Sequence, residues 1–371
     1  MTKILFLIHD LGIGGAEKVL VNLVNHMDQT IFDITVISLF GGGVNEQFLA
    51  SHIHYRVMWR KTIPGNSKLM KLLTPCQLHR LCVKEHYDVE VAYLEGPAAR
   101  IISGCEEPDT KLFCWIHSEQ PTSVASDSFR SYAEAQSCYS RFDNLVFVSE
   151  GIRKTFANTF PSIQKTVVCY NTIDTDRILS MKDELVEDVL FSPYEIKLVS
   201  VGKISKSKGV DRLARVVKRL RDDGLPVHLY ALGNGPDQAE IETYLQKNRL
   251  EEFFTFLGYQ TNPYKYVAHC DLFVCASLTE GFSTAATEAL VVGVPICTVE
   301  VSGMKELLGE HNEWGIVTEN NEDALYMGIK RLLDNPNQLL HFREKAKERR
   351  KRYSMNNTIK VVENLLSEGS I

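Results

Sequence analysis

An alternation of segment types constrains this chain more than any other feature. Short β-branched runs at 3–9, 33–39, 88–93, 111–116, 144–149 and 166–170 are separated by longer amphipathic stretches such as 15–27 and 150–158. A second series begins at "IKLVSVG" (196–202) and continues through "VHLYALG", "FTFLG", "LFVCAS" and "VPICTV". Strands separated by helical patterns predict an α/β fold, with parallel sheets covered by helices on both faces. The acidic segment "MKDELVEDVLFSPYE" (181–195) lies between the two series. With 371 residues and 44% hydrophobic content, the chain is too large for one simple core. The expected organisation is a Rossmann-like domain over 1–180 and a second over 195–353. A C-terminal helix within 354–371, built on "NNTIKVVENLL", is expected to pack back on the first domain. Two such doubly wound domains would face each other, their strand C-termini lining one crevice where ligands bind.

Charge and cysteine usage narrow the class. Lys+Arg 41 against Asp+Glu 47 leaves a net charge of −6, which argues against a general nucleic-acid binder. The nine cysteines are odd in number and scattered, without a C-x-x-C pair, as expected of buried thiols in a reducing compartment. Neither a disulfide framework nor a zinc motif is expected. No run approaches the ~20 apolar residues of a membrane span, and the N-terminus has no signal-peptide pattern. The expected location is the cytoplasm.

Three segments carry the chemistry. The first, "HDLGIGGAEKVL" from His9, sets glycines 12, 14 and 15 between a predicted strand and a predicted helix. A dinucleotide fingerprint would need a third glycine where Glu17 stands. What remains is a helix start whose free amides favour an anion; the alternative is a plain glycine turn. The second segment, "KISKSKGV", follows the strand "LVSVG" and places Lys203, Lys206 and Lys208 before a helix starting at Val210. Point charges there, with the partial charge of the helix start, suit a diphosphate. The third, "TEGFSTAATEALVVGVPIC" (279–297), sets Glu280 in a loop and Glu288 on a helix beginning near Ser283. The two carboxylates would flank one ligand and accept hydrogen bonds from sugar hydroxyls. The amides of Phe282, Ser283 and Thr284 form another anion-binding helix start. Two separated carboxylates without nearby His or Asp make a poor metal site, so no metal is expected.

The combination "GGAE", "VGKISKSKG" and "EGFSTAATEALVVGVP", with "YNTID" at 170–174, resembles the retaining glycosyltransferases of family 4, which have the GT-B fold. The resemblance covers nearly the whole chain. The family usually carries arginine where Lys203 stands; lysine keeps the charge without the bidentate fork. The resemblance implies that Lys203 and Lys208 hold a nucleotide diphosphate and stabilise the leaving group. It assigns Glu288 to the ribose hydroxyls and Glu280 to the transferred sugar. Gly14 and Gly15 would bring amides against the β-phosphate. His117, in "CWIHSE", matches the family's active-site histidine. Gly202 and Gly281 line the donor loops, and Asn234 in "LGNGP" and Tyr259 in "LGYQ" are candidates for the base pocket.

These readings imply a retaining, metal-independent glycosyltransferase that uses a UDP-hexose and needs no cofactor. Its wording is similar to enzymes of bacterial capsule, exopolysaccharide or lipopolysaccharide assembly. The acceptor would be a polyprenyl-diphosphate- or otherwise lipid-linked saccharide. Alternatives are a GDP-mannose-dependent mannosyltransferase, a sugar-nucleotide epimerase and a catalytically inactive partner subunit. Between Arg56 and Lys84 the chain carries seven basic residues (Arg56, Arg60, Lys61, Lys68, Lys71, Arg80, Lys84) and no acidic one. The same segment holds Trp59, Ile63, Leu69, Met70, Leu72, Leu73, Leu78 and Leu81, interrupted by Pro64 and Pro75. That composition suits peripheral contact with the cytoplasmic face of the inner membrane; the alternative is a solvated basic face.

Overall fold

The computed structural model describes residues 1–61, 65–120 and 128–368. The chain divides into two compact units: Met1–Thr172 together with Asn356–Ile371, and Ile173–Met355. Each is built on one parallel sheet, as the alternation predicts.

The first sheet contains β1 (Thr2–Ile8), β2 (Phe32–Phe40), β3 (His54–Trp59), β4 (Val89–Ala92), β5 (Lys111–Ile116), β6 (Asn144–Phe147) and β7 (Thr166–Val168). Their spatial order is β3-β2-β1-β4-β5-β6-β7. β1 is paired on both sides, with Phe6 opposite Val36 and Val91. Ile4 through Ile8 are all fully buried, the continuous apolar run of a central parallel strand. The helix Met355–Glu368 belongs to this unit and buries Ile359, Val362, Leu365 and Leu366. It is tied to the strand end of the sheet by Asp28 N–H donating to Glu363 (2.7 Å) and by Lys111 Nζ donating to the Ser367 carbonyl (3.2 Å).

The second sheet contains β8 (Ile196–Val201), β9 (Val227–Leu232), β10 (Phe254–Gly258), β11 (Leu272–Cys275), β12 (Ile296–Val299) and β13 (Ile316–Thr318). Its order is β10-β9-β8-β11-β12-β13. The helix Val210–Asp222 turns Leu213, Ala214, Val216, Val217 and Leu220 into the core beneath it.

In both sheets the strand order reverses beside the first strand, between β1 and β4 and between β8 and β11. Loops leaving the C-terminal ends of such a pair diverge to opposite faces and open a ligand crevice. Residues 9–14 follow β1, residues 93–96 follow β4, residues 202–209 follow β8 and residues 276–283 follow β11. The three segments that carry the chemistry therefore leave switch points, while "YNTID", His117, Asn234 and Tyr259 follow β7, β5, β9 and β10.

Candidate active site

In the second unit the 202–209 and 276–283 loops are bound to each other. Lys208 Nζ donates to Glu280 Oε1 at 2.7 Å, and Ser277 Oγ donates to the same oxygen at 2.7 Å. The Leu278 amide donates to the Ser207 carbonyl (2.8 Å). Gly209 makes the approach possible. It stands at φ +65, and a Cβ there would lie 2.1 Å from the Ala276 carbonyl oxygen. Arg212, on the following helix, donates from one nitrogen to the Ala276 carbonyl (3.0 Å) and to Asn320 Oδ1 (2.8 Å). Asn320 in turn donates towards the carbonyls of Ser277 (3.4 Å) and Glu300 (3.3 Å). The loop that carries Glu280 is thus fixed from below by an almost fully buried guanidinium.

Ser283 caps the helix Thr284–Val292, its Oγ accepting from the Ala286 amide at 3.3 Å. That cap sets the helix start where the loop from β11 ends. Glu288 lies on the first turns of this helix, 7% exposed, with the Tyr264 hydroxyl donating to Oε1 at 3.2 Å. Phe282 is buried and packs on the Tyr353 ring at 5.7 Å, turning its side chain inward and leaving Gly281 partly exposed. Lys203 is exposed and pairs with no described residue, whereas Lys206 is drawn away to Glu240 at 3.0 Å. Gly202 ends β8, its amide donating to the Leu232 carbonyl (2.9 Å). Asn234, beyond β9, accepts from the Ile204 amide at 3.1 Å, and its side chain is exposed. Tyr259, beyond β10, is 42% exposed. The unit therefore presents cations, carboxylates and an aromatic ring from four neighbouring strand ends.

The first unit has its own cluster at strand ends. His117 follows β5, its ring 5.0 Å from that of Tyr93 and its amide donating to Glu95 Oε2 at 2.8 Å. Ser118 Oγ donates to the other oxygen of Glu95. Burial pushes the Glu95 carboxyl above its usual range. Burial likewise lowers the His117 imidazole to about 3, so it is neutral at physiological pH. Its Nε2 is buried and has no hydrogen-bond partner among the described residues. A buried ring nitrogen without a partner is costly in a structural role. It is what a group awaiting a ligand hydroxyl would look like.

Gly14 precedes the helix Gly15–His26 and, like Gly15, is exposed. The helix start has no side-chain cap from Gly14, and Glu17 folds back over it: a Cβ on Gly14 would lie 2.1 Å from Glu17 Oε2. A phosphate at these amides would have to displace that carboxylate. The preceding turn is fixed by Asp10, which accepts from the Gly12 amide at 2.8 Å and from His9 at 2.6 Å.

The basic segment 56–84 contains β3 and two short helices, Asn66–Met70 and Pro75–Cys82; Ile63 and Pro64 lie outside the described residues. Leu69, Leu72 and Leu81 are exposed, while Leu78 is core. Arg56 is paired to Glu85 (2.7 Å) and Arg80 to Glu106 (2.6 Å), both from outside the segment, so its local charge is partly offset. Among the described residues, no helix is long and apolar enough to cross a membrane.

Reading the sequence did not find Arg212, Asn320, Ser277, Tyr264 or Glu95. Glu95 had a usable signal, since "LEG" follows an apolar run just as His117 does. Arg212 and Asn320 are 108 positions apart and meet only through the fold.

Comparison with known proteins bears on the family and the fold. The pattern of Glycosyltransferase Family 4 matches residues 13–177, and that of Glycosyl transferases group 1 matches residues 181–349. The chain is 28% identical over 365 residues to the N-acetylgalactosamine-N,N'-diacetylbacillosaminyl-diphospho-undecaprenol 4-alpha-N-acetylgalactosaminyltransferase of Campylobacter jejuni subsp. jejuni serotype O:2. That match covers 95% of this chain and 96% of the relative. Among solved structures, Anabaena HepE in complex with UDP and glucose superimposes with a TM-score of 0.79 at 19% identity, over 99% of this chain and 100% of that one. Sucrose-phosphate synthase from Thermosynechococcus elongatus superimposes with a TM-score of 0.78 at 14% identity, over 99% of each chain. Both likenesses lie in the fold, the two-domain GT-B architecture.

Proposed function

The chain belongs to glycosyltransferase family 4, and on that premise we propose the particular transfer it performs. It moves a hexose from a UDP-sugar to a saccharide carried on a lipid diphosphate, with retention of anomeric configuration, in the assembly of a bacterial surface glycan. The observation that carries this reading is the Lys208–Glu280–Ser277 cluster at the β8/β11 switch point, with exposed Lys203 in the same loop as Lys208 and Glu288 on the helix that follows the Glu280 loop. The lipid-linked acceptor is supported by the name of the Campylobacter relative, and UDP by the ligand of HepE.

In this mechanism Lys203 and Lys208 face the diphosphate, and the amides of Ser283 and Thr284 add the partial charge of their helix start. Preorganised positive charge at the leaving group lowers the barrier most when water is excluded. These groups supply the charge that a divalent cation supplies elsewhere, so the transfer needs no catalytic metal. Glu288 accepts from the ribose hydroxyls. Glu280, held by Ser277 once Lys208 turns to phosphate, accepts from the hexose. Tyr259 and Asn234 lie at the base. From the first unit, Gly14 and Gly15 offer amides, and neutral His117 offers Nε2 as a hydrogen-bond acceptor to a sugar hydroxyl. The enzyme works at the cytoplasmic membrane surface, through the 56–84 segment.

The test is a donor screen with a polyprenyl-diphosphate-linked saccharide, without added Mg²⁺ or Mn²⁺. UDP release that depends on the acceptor, with an α-linked product by NMR, is the expected result. GDP release from GDP-mannose alone would replace the donor assignment. A second sugar nucleotide without any glycoside would identify an epimerase, and no turnover with any donor would point to an inactive partner subunit.

A further inference from the structure

His79, Glu90 and Cys105 meet inside the first unit, away from the strand ends that carry the motifs. They come from three elements: the helix Pro75–Cys82, the middle of β4, and the turn after the helix Pro97–Ile102. All three are buried, Glu90 and Cys105 at 1% exposure. His79 Nε2 lies 2.8 Å from Glu90 Oε2, Cys105 Sγ lies 3.8 Å from Glu90 Oε1, and the three ligand atoms all fall within 4.8 Å of one another.

We propose that this triad is a structural zinc site. An imidazole nitrogen, a thiolate and a carboxylate together form the borderline donor set that Zn²⁺ prefers over harder cations. Tetrahedral bonds of about 2.0–2.3 Å put neighbouring donors roughly 3.3–3.7 Å apart, so small side-chain adjustments seat the ion. Charge argues the same way. Binding releases the thiol proton, and any proton shared by His79 and Glu90, to solvent. The ion's two positive charges then meet one carboxylate and one thiolate, and the buried site is neutral. Without the ion, His79 at 2.8 Å is the group that offsets the desolvation cost of an ionised Glu90. The three side chains fill three tetrahedral positions and a water fills the fourth, since the two oxygens of one carboxylate lie too close together to span two of them.

The surroundings are built to hold the ligands still. Thr74 and Gln77 form a reciprocal cap at the start of the His79 helix. The turn before Cys105 presses onto that helix so closely that a Cβ at Gly104 would lie 2.1 Å from the Pro75 carbonyl. Glu90 is fixed in register between Leu5 and Leu112. In sequence the ligands are 11 and 15 positions apart, a spacing that no short metal motif would reveal.

The test is to express the full chain in minimal medium supplemented with Zn²⁺ or with Co²⁺, then measure metal content and absorption. One ion per chain is expected, with thiolate-to-cobalt charge-transfer absorption in the cobalt protein. Cys105→Ser should lose that band, and Cys82→Ser, at a buried thiol outside the triad, should keep it. Zinc at a hundredfold excess over its Kd should raise the melting temperature by about 5–10 °C. Should Cys105→Ser fail to fold, the wild-type cobalt spectrum decides by itself. Substoichiometric metal, or bound cobalt without a thiolate band, would overturn the proposal and leave a hydrogen-bonded triad.

Discussion

Lys208 is the residue on which the most depends. It is the partner of Glu280 within one unit and, in the proposed reaction, the charge that meets the leaving diphosphate. Replacing it with alanine should lower kcat by roughly 100-fold, the scale of removing one preorganised stabilising group from a transition state. Lys203→Ala should cost a similar factor with an unchanged melting temperature, because an exposed lysine contributes little to stability. A double alanine variant that releases UDP at the wild-type rate would remove both from the mechanism. His117 makes a prediction of a different kind. Its pKa falls from 6.5 to about 3 on folding, so between those values the unfolded chain binds the extra proton. Stability therefore rises with pH across that window and is lost as pH falls below about 6.5, by at most about 1.4 kcal/mol per pH unit. Denaturant midpoints at pH 7 and pH 5 should differ less in His117→Asn than in wild type. An identical difference in both proteins would show that this imidazole is not the group responsible.

At the scale of elements, the site is a set of loops whose shape comes from contacts between strand ends. Gly209 shows how tight the tolerance is. Alanine there would adopt a left-handed backbone and collide with the Ala276 carbonyl. Gly209→Ala should destabilise the second unit by about 2 kcal/mol or more and raise KM for the donor, whereas Gly224→Ala should cost only about 1 kcal/mol. Gly224 has a similar φ of +82 but nothing within 4 Å of its Cβ position. Equal melting temperatures for the two variants would show that the loop can relax. The same contacts explain what could be read in advance. The long strands were plain because β1, β2 and β8 are rich in Ile, Leu, Val and Phe, and the motifs after them could be placed by chain order alone. β3 was missed because it is an edge strand, "HYRVMW", half of whose residues are exposed and none fully buried. β13 was missed because it has three residues. Lys208 and Glu280 were each legible as residue types after a strand. Their 2.7 Å pairing, and the Arg212 bracket under it, depend on strand order rather than on spacing.

For the whole molecule, the membrane assignment rests on the exposed face of 56–84. With Arg56 and Arg80 already paired to carboxylates, Lys68 and Lys84, together with Arg60 and Lys61, are its most accessible cations, set beside exposed Leu69, Leu72 and Leu81. Each cation near an anionic leaflet adds about 1 kcal/mol, weakened by salt. The protein should sediment with anionic but not neutral liposomes at low salt, and Arg60→Glu/Lys61→Glu/Lys68→Glu should stay in the supernatant. Equal binding by that triple variant would place the contact elsewhere. The helix Met355–Glu368 has a consequence of another sort. Because the first unit takes its last helix from beyond the second, a ribosome delivers every residue of Ile173–Met355 before the first unit is whole. Four buried apolar side chains arrive last, each worth about 1.5–3 kcal/mol. A chain ending at Met355 should therefore melt its first unit several kcal/mol early while the second keeps its wild-type transition. In pulsed proteolysis of stalled nascent chains, the later-made half should become protease-resistant before the earlier one.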